Sequence, residues 1–100
     1  MFKVMIKRVV PPGKEREVAE LITQLRLGAS GQDGYISGET LKSSSNPHEF
    51  LVISIWDRES SWKAWFNSDE RIALQKKVDD VTGVPTSYET YYYPHITHDV

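Results

Sequence analysis

The sequence predicts an α+β fold with the element order β-α-β-β-α-β in a single domain. Three observations support this prediction: residues 2–10 alternate in polarity, residues 50–56 form an unbroken apolar run, and apolar residues recur at helical spacing over residues 14–27 and 62–81. A chain of 100 residues has the usual size of one domain. We therefore expect one hydrophobic core with little room for a large enclosed ligand.

The segment 48–71 organises the rest of the chain. Residues 50–56, FLVISIW, are apolar at nearly every position, which predicts a central strand covered on both faces. Trp62, Trp65 and Phe66 follow at i, i+3, i+4 spacing, so three large rings lie on one face of a helix. This strand and helix together are expected to bury most of the aromatic bulk.

The N-terminal part predicts a strand followed by an amphipathic helix. Residues 2–10 alternate with a period of two, which is typical of a strand, and Pro and Gly at 11–13 end it. The apolar positions that predict a helix over residues 14–27 are Val18, Leu21, Ile22 and Leu25. We expect Gly28 to be the left-handed residue at the C-terminus of this helix.

The later elements are predicted from weaker alternation and from capping residues. Residues 35–42 predict an edge strand that pairs with the central strand in antiparallel orientation. Ser68, followed by two acidic residues, indicates a new helix N-terminus, so the helix is broken near Asn67. Gly83 ends this second helical piece, and β-branched and aromatic residues predict a last strand over residues 86–93.

The order of these elements is that of the ferredoxin-like fold. Right-handed crossovers place the first and third strands in the middle of the sheet, and these two strands are the richest in aliphatic residues. The domain is then expected to span residues 1–94. Residues 95–100 have no periodicity and are predicted to form a C-terminal tail.

Composition argues against several functional classes. The 12 Lys and Arg against 14 Asp and Glu give a net charge of −2 without a basic stripe, so we expect no nucleic-acid partner. The absence of cysteine excludes disulfides, thiolate nucleophiles and Cys-based metal sites. No apolar stretch approaches the roughly 20 residues that span a bilayer, and the N-terminus lacks signal-peptide features. We expect a cytoplasmic protein with no membrane partner.

Residues 1 to about 94 resemble the antibiotic-biosynthesis-monooxygenase family of dimeric α+β barrels. The resemblance rests on the element order, the strand ending in Ile55-Trp56 and the run WKAWFNSDER at 62–71. It implies a homodimer whose sheets pack together into a barrel, with a pocket in each subunit between sheet and helices. It also implies a monooxygenase that acts with O2 on a small phenol or quinol without metal, flavin or other cofactor. Some members degrade haem or have no known activity.

The resemblance implies three candidate catalytic residues. Trp65 matches a tryptophan found in both the oxygenase and the haem-degrading branches. Ser61 occupies the position at which some aromatic oxygenases carry an asparagine, and Arg71 is a candidate for orienting an anionic quinolate. Haem-degrading members pair the tryptophan with an asparagine on the first strand and a histidine on the last helix. The matching positions here are Lys7 and Gln75, so haem degradation by that triad is not expected.

Two of these candidates, Trp65 and Arg71, also have a structural alternative. With its neighbouring rings, Trp65 forms an ordinary core stripe in any small domain, and this interpretation is favoured over a role as pocket wall. Arg71 can pair with Asp57 or Glu70 at the surface. A second functional hypothesis is therefore a non-catalytic dimeric module that binds a small apolar ligand or haem in the same cavity.

The histidines and tyrosines give weaker indications. His48 is expected to be a solvated loop residue rather than a general base. His95 and His98 are spaced as metal ligands only in a helical tail, which Pro94 disfavours. The tyrosines near the C-terminus could donate phenolic hydrogen bonds to a ligand, but a place at a subunit interface, where this residue type is enriched, is favoured for them: Tyr88, Tyr91, Tyr92 and Tyr93.

Overall fold

The computed structural model describes residues 1–94, which form four strands and three helices. The elements in chain order are β1 (Phe2–Val9), α1 (Glu15–Ser30), β2 (Tyr35–Lys42), β3 (Glu49–Trp56), α2 (Glu59–Phe66), α3 (Asp69–Thr82) and β4 (Ser87–Tyr92). The predicted order is confirmed, with the second helical region divided in two as expected. The predicted tail at residues 95–100, with both of its histidines, lies outside the described residues.

The four described strands form one antiparallel sheet in the order β2-β3-β1-β4. β1 and β3 are central, as the crossover rule predicts. Phe2 of β1 lies opposite Trp56 of β3 on one side and opposite Tyr92 of β4 on the other. Paired residues of neighbouring strands therefore point to the same face of the sheet.

The hydrophobic core lies between this sheet and the helices. It joins residues of β1 and β3 to buried residues of α1, α2 and α3, and Trp62 and Trp65 are both part of it. Trp56 is fully buried, as predicted, and its indole N–H donates a 2.8 Å hydrogen bond to the Ser54 hydroxyl. This bond satisfies the one polar group of the indole inside the core.

Within residues 1–94, no helix covers the other face of the sheet. On β3, Val52 and Trp56 point toward the helices and are buried, whereas Leu51, Ile53 and Ile55 point away and are only half-buried. The expectation of a strand covered on both faces is therefore wrong within one chain, because the helices form a single layer on one side. We call the half-buried side the open face.

The predicted end of α1 at residue 27 is also wrong. The helix continues through Gly28 to Ser30, and Gly28 has no left-handed conformation. A Cβ atom at Gly28 would lie 2.6 Å from a ring carbon of Trp65 and would also collide with the Glu70 carboxylate. Glycine is needed here because α1 approaches these side chains closely, and the helix ends at the next glycine, Gly31, instead.

The break between α2 and α3 follows from the side chain of Ser68. Its hydroxyl accepts a 3.2 Å hydrogen bond from the Arg71 backbone N–H and donates a 2.7 Å bond to the Trp65 carbonyl. It therefore caps α3 as predicted and ties the end of α2 to the start of α3. Gly83 ends α3 as predicted, and its φ of +73° is in the left-handed region. Across residues 1–94, no helix combines the length and apolar character that crossing a membrane requires.

Candidate functional site

A cavity lies between the sheet and the helices, and each of the seven described elements contributes to its wall. Its apolar wall includes Ile22 of α1 and Trp65 of α2, and β2 adds the ring of Tyr35. We call it the central cavity. Its position inside one subunit, between sheet and helices, is the one that the family resemblance implies.

The central cavity is narrow. The space between its walls is about 470 Å³ when the part open to solvent is included, and the part that can hold water is about 50 Å³. For comparison, an apolar cavity that holds benzene has a volume of about 150 Å³. A ring-sized ligand would therefore have to move side chains at the wall as it enters.

A hydrogen-bonded chain of four side chains forms the polar wall of the cavity. Arg71 Nη1 donates to the Tyr88 hydroxyl oxygen at 3.0 Å, and the Tyr88 O–H donates to Gln75 Oε1 at 3.0 Å. Arg8 Nη2 donates to the same Gln75 oxygen at 3.2 Å. The Gln75 amide oxygen thus binds the Arg8 guanidinium of β1 directly and is linked to the Arg71 guanidinium of α3 through the Tyr88 hydroxyl.

The orientation of the Gln75 amide is fixed by its four partners. Because Arg8 and the Tyr88 hydroxyl both donate, the amide oxygen must face them. The amide nitrogen then donates to Asp79 Oδ1 at 2.9 Å and to Thr86 Oγ1 at 2.8 Å. Gln75 is buried with its hydrogen-bonding capacity in use, so it acts as a rigid support for the charged groups beside it.

Arg8 is the most deeply buried charged residue of the cavity wall. Its side chain is 4% exposed, and its Nε is buried without a hydrogen-bond partner among residues 1–94. Burial lowers the pKa of Arg8 from its ordinary value, and the nearby Arg71 also lowers it, whereas Tyr88 and Asp79 raise it. A guanidinium nevertheless stays protonated at neutral pH, so a positive charge lies at this end of the cavity.

Arg71 faces the cavity from the first turn of α3. Its guanidinium carbon lies 4.1 Å from the centroid of the Phe66 ring, and the group also reaches the Tyr88 hydroxyl. It pairs with neither Asp57 nor Glu70, the surface partners that the sequence offered. Stacking on Phe66 holds the plane of the guanidinium and leaves its charge directed at the cavity wall.

Trp65 belongs both to the core and to the cavity wall. The side chain is 5% exposed and packs in the main hydrophobic cluster, and it also lines the central cavity. The two interpretations from the sequence are therefore compatible. Trp62 is buried in the same cluster, and its ring centroid lies 4.8 Å from that of Phe66, but Trp62 does not line the cavity.

The structure does not bring Ser61 to the central cavity. Ser61 is half-buried and lines a separate surface depression with Gln32, Asp33 and Arg58. Its hydroxyl is the main cause of the lowered pKa of the exposed Asp57 carboxyl, to which the backbone and side chain of Arg58 also contribute. Trp65 and Arg71 are thus brought together, whereas a catalytic role for Ser61 stays a prediction.

Arg8 was not recognised from the sequence as a cavity residue, and Tyr88 lies in the cavity wall although a hydrogen bond to a ligand was its less favoured interpretation. The signal for Arg8 was present, since it falls at an even position of β1, in phase with buried Phe2 and Val4. A charge in the buried phase of an alternating strand indicates either a paired ion or a site. Lys7, which matches the asparagine position of haem-degrading members, is exposed and lies out of this phase.

The other residues noted in the sequence lie away from the cavity. The His48 carbonyl accepts a 2.7 Å hydrogen bond from the Val10 N–H, and the side chain is half-buried outside the cavity wall. Three of the C-terminal tyrosines, Tyr91, Tyr92 and Tyr93, are exposed. In the part of the chain that the structure describes, no cluster of three or more His, Asp or Glu side chains is arranged to hold a metal ion.

Comparison with known proteins decides the family. The model of the family described as Antibiotic biosynthesis monooxygenase matches residues 1–77. The chain belongs to this family. The match to this monooxygenase family includes Arg8, Trp65, Arg71 and Gln75 and ends before β4, which carries Tyr88.

Two curated relatives come from Streptomyces. The chain is 27% identical over 70 residues to a 42.8 kDa protein in the whiE locus of Streptomyces coelicolor, and 23% identical over 77 residues to Protein SchA of Streptomyces halstedii. These matches cover 70% and 77% of this chain but only 18% and 20% of the relatives. The chain therefore spans about a fifth of the length of these proteins.

Solved structures confirm the fold of this monooxygenase-family chain. A Deinococcus radiodurans protein, described as a candidate antibiotic biosynthesis monooxygenase, gives a TM-score of 0.85 at 11% identity and covers 100% of this chain and 99% of its own. SnoaB, a cofactor-independent oxygenase from Streptomyces nogalater, gives 0.79 at 8% identity with 98% of both chains covered. A conserved protein from Methanosarcina mazei gives 0.82 at 21% identity, covering 90% and 89%.

Proposed function

We propose that this protein is a cofactor-independent monooxygenase that acts on a small phenol or quinol. The observation that supports this most is the convergence of Arg8, Arg71 and Tyr88 beside Trp65 in a cavity between sheet and helices. Among the described residues of its wall, none is acidic. Such a cavity favours the anionic form of a bound aromatic ring, and a deprotonated electron-rich ring is the form that reacts with O2.

The reaction needs little chemistry from the protein. The substrate supplies the electrons, one atom of O2 enters the substrate, and the other leaves as water. The protein excludes bulk water, positions the ring and stabilises the developing anion. We assign ring contact to Trp65 and anion stabilisation to Arg71, with Tyr88 as a hydrogen-bonding partner. We assign no step to Ser61, because it lies in a separate depression.

We further propose that two chains pack together through the open face. Leu51, Ile53 and Ile55 form an aliphatic stripe there that is only half-buried in one chain. Monomeric proteins rarely leave a continuous apolar patch of this kind in water. The family to which the chain belongs, whose members are often dimeric, supports a sheet-to-sheet homodimer.

Oxygen consumption with a panel of hydroquinols tests the proposed activity. We expect uptake above the uncatalysed rate and a fall of about tenfold or more in kcat/KM for Trp65→Phe, because a smaller ring leaves the substrate less well positioned. Trp62→Phe is the matched control, since Trp62 lies on the same helix, is similarly buried and does not line the cavity. Equal losses in both variants, or no uptake with any hydroquinol, would contradict the proposal.

The second candidate is a binding module without turnover. The composition of the cavity wall favours it, since no Asp, Glu or His among the described residues lines the cavity to accept the proton that a substrate would lose. Saturable binding of small aromatic probes without oxygen uptake would support this alternative. For haem, Gln75 stands at the position of the family's ligating histidine and is engaged by four hydrogen bonds, so we expect no absorbance shift typical of axial ligation.

A further inference from the structure

We propose that the ligand of the central cavity carries a carboxylate and that Arg8 binds it. The ligand class is an aromatic acid whose ring contacts Trp65 and whose ionised group contacts the Arg8 guanidinium. This inference deepens the proposed function and rests on it only in taking the central cavity to be the substrate site.

The hydrogen bonding of Arg8 is the first argument. A guanidinium carries five N–H donors in a planar fork that matches the two oxygens of a carboxylate. Within residues 1–94, the Arg8 side chain donates to the Gln75 oxygen, while its Nε is buried and unpartnered. A side chain 4% exposed with an unpartnered charged donor is costly to keep unless it serves a ligand.

The charge of the cavity wall is the second argument. Its charged groups are Arg8, Arg26 and Arg71, and no acidic side chain among the described residues lines it. Asp79 is the acid whose charge acts on Arg8, but it is bound to the far side of the Gln75 amide and does not line the cavity. The wall therefore presents uncompensated positive charge to whatever enters.

The ionisation state at pH 7 distinguishes the two acidic groups that a ligand could present to Arg8, a phenol and a carboxylic acid. A phenol, with an ordinary pKa of about 10, arrives neutral at pH 7, whereas a carboxylic acid, with an ordinary pKa of about 4, arrives fully ionised. Only the second compensates a buried cation from the moment of binding. The phenolic oxygen of the same ligand is then left for Arg71 and Tyr88, which face the cavity from α3 and β4.

A pair of matched ligands tests this inference in the wild-type protein. Under nitrogen, 2,5-dihydroxybenzoate and its neutral analogue 2,5-dihydroxybenzamide are titrated by calorimetry and by tryptophan fluorescence. We expect the acid to bind about tenfold to a hundredfold more tightly than the amide, the ratio typical of a charge-assisted hydrogen bond. Equal affinity, or tighter binding of the amide, would overturn the inference.

Two variants assign the preference to Arg8. Arg8→Met removes the charge while keeping a side chain of similar length, and we expect the acid and the amide then to bind equally. Arg16→Met is the matched control, because Arg16 lies exposed on α1 outside the cavity and its loss changes the net charge equally. Retention of the acid preference in Arg8→Met would exclude Arg8 as the binding residue. If that variant does not fold, the wild-type ratio still decides the ligand class, and Arg8→Lys, which keeps the charge without the fork, is expected to lower the ratio.

Oxygen uptake, measured separately in air, distinguishes this inference from the proposed function. An acid preference without oxygen uptake would support the carboxylate ligand and contradict the monooxygenase. Uptake with neutral hydroquinols and no acid preference would support the monooxygenase and contradict the carboxylate ligand. The two ideas therefore fail in different measurements.

Discussion

On the face of the sheet that the helices cover, β1 places the charged Arg8 among buried residues, whereas on the open face β3 leaves Leu51, Ile53 and Ile55 half-buried. Each face thus carries residues that do not suit its surroundings in an isolated chain. A ligand anion would compensate the first and a second chain the second. Under the two proposals, both faces of this small sheet make contacts outside the single chain, one with a ligand and one with a second copy.

The largest expected effect comes from placing a charge on the open face. Ile53→Lys should break the proposed dimer, because a two-fold interface would bury the new charge from both chains without a partner. We expect the dimer dissociation constant to rise more than about a hundredfold, measured by light scattering across a concentration series.

Leu27→Lys is the control for this change. Leu27 is 68% exposed on α1, so a charge there should leave the association unchanged. If the wild-type protein is monomeric at every concentration, the proposed dimer through the open face is contradicted.

The next largest effect is expected from Gly28→Ala, on the side of the sheet that the helices cover. Glycine to alanine inside a helix usually stabilises a protein by up to about 1 kcal/mol. At Gly28 we expect destabilisation of about 1–3 kcal/mol instead, because the added Cβ would press on the Trp65 ring at the cavity wall. Urea unfolding monitored by circular dichroism measures the difference.

Gly31→Ala provides the contrast within the same helix end. Gly31 has φ of −85°, and the nearest atom to an added Cβ is 3.7 Å away. Alanine should therefore be neutral or slightly stabilising there. Equal behaviour of the two alanine variants would mean that α1 does not press on Trp65.

The smallest effect concerns Ser61, which lies outside the cavity. The Ser61 hydroxyl lowers the folded-state pKa of Asp57 below the ordinary value of 3.8, so this interaction stabilises the folded state above that pH and is lost as pH falls through the lowered pKa. Ser61→Ala should therefore cost a little stability at pH 7 and nothing at about pH 2. Thermal melts at both pH values measure this, and a constant difference between serine and alanine would contradict it.

The elements were predictable because each depends on nearby residues. Alternation identified β1, and helical spacing identified α1. The serine at position 68 marked the break between the helix that carries Trp65 and the helix that carries Arg71. The site was less predictable, because its polar chain joins side chains from three elements. Gln75 and Tyr88 meet across 13 positions, and no local pattern records such a contact.

Two errors have the same physical origin. A glycine is used both to end a helix and to make room for a neighbouring ring, and the sequence does not distinguish the two uses. Gly28 was therefore predicted to end α1, although it makes room for the Trp65 ring. A strand covered on both faces and a strand covered on one face can carry the same apolar run, so residues 50–56 were expected to be enclosed. In both cases the sequence does not record which part of the structure packs against the residue or strand.

The hydrogen-bonded chain that runs from Arg71 through Tyr88 and Gln75 to Arg8 has a consequence for how the cations act. Polarisation of one link changes the strength of the next, so the guanidinium groups respond to an incoming charge together. Their contributions are then expected to be non-additive. Selectivity at one end of the ligand would be tuned from the other, without either arginine changing position.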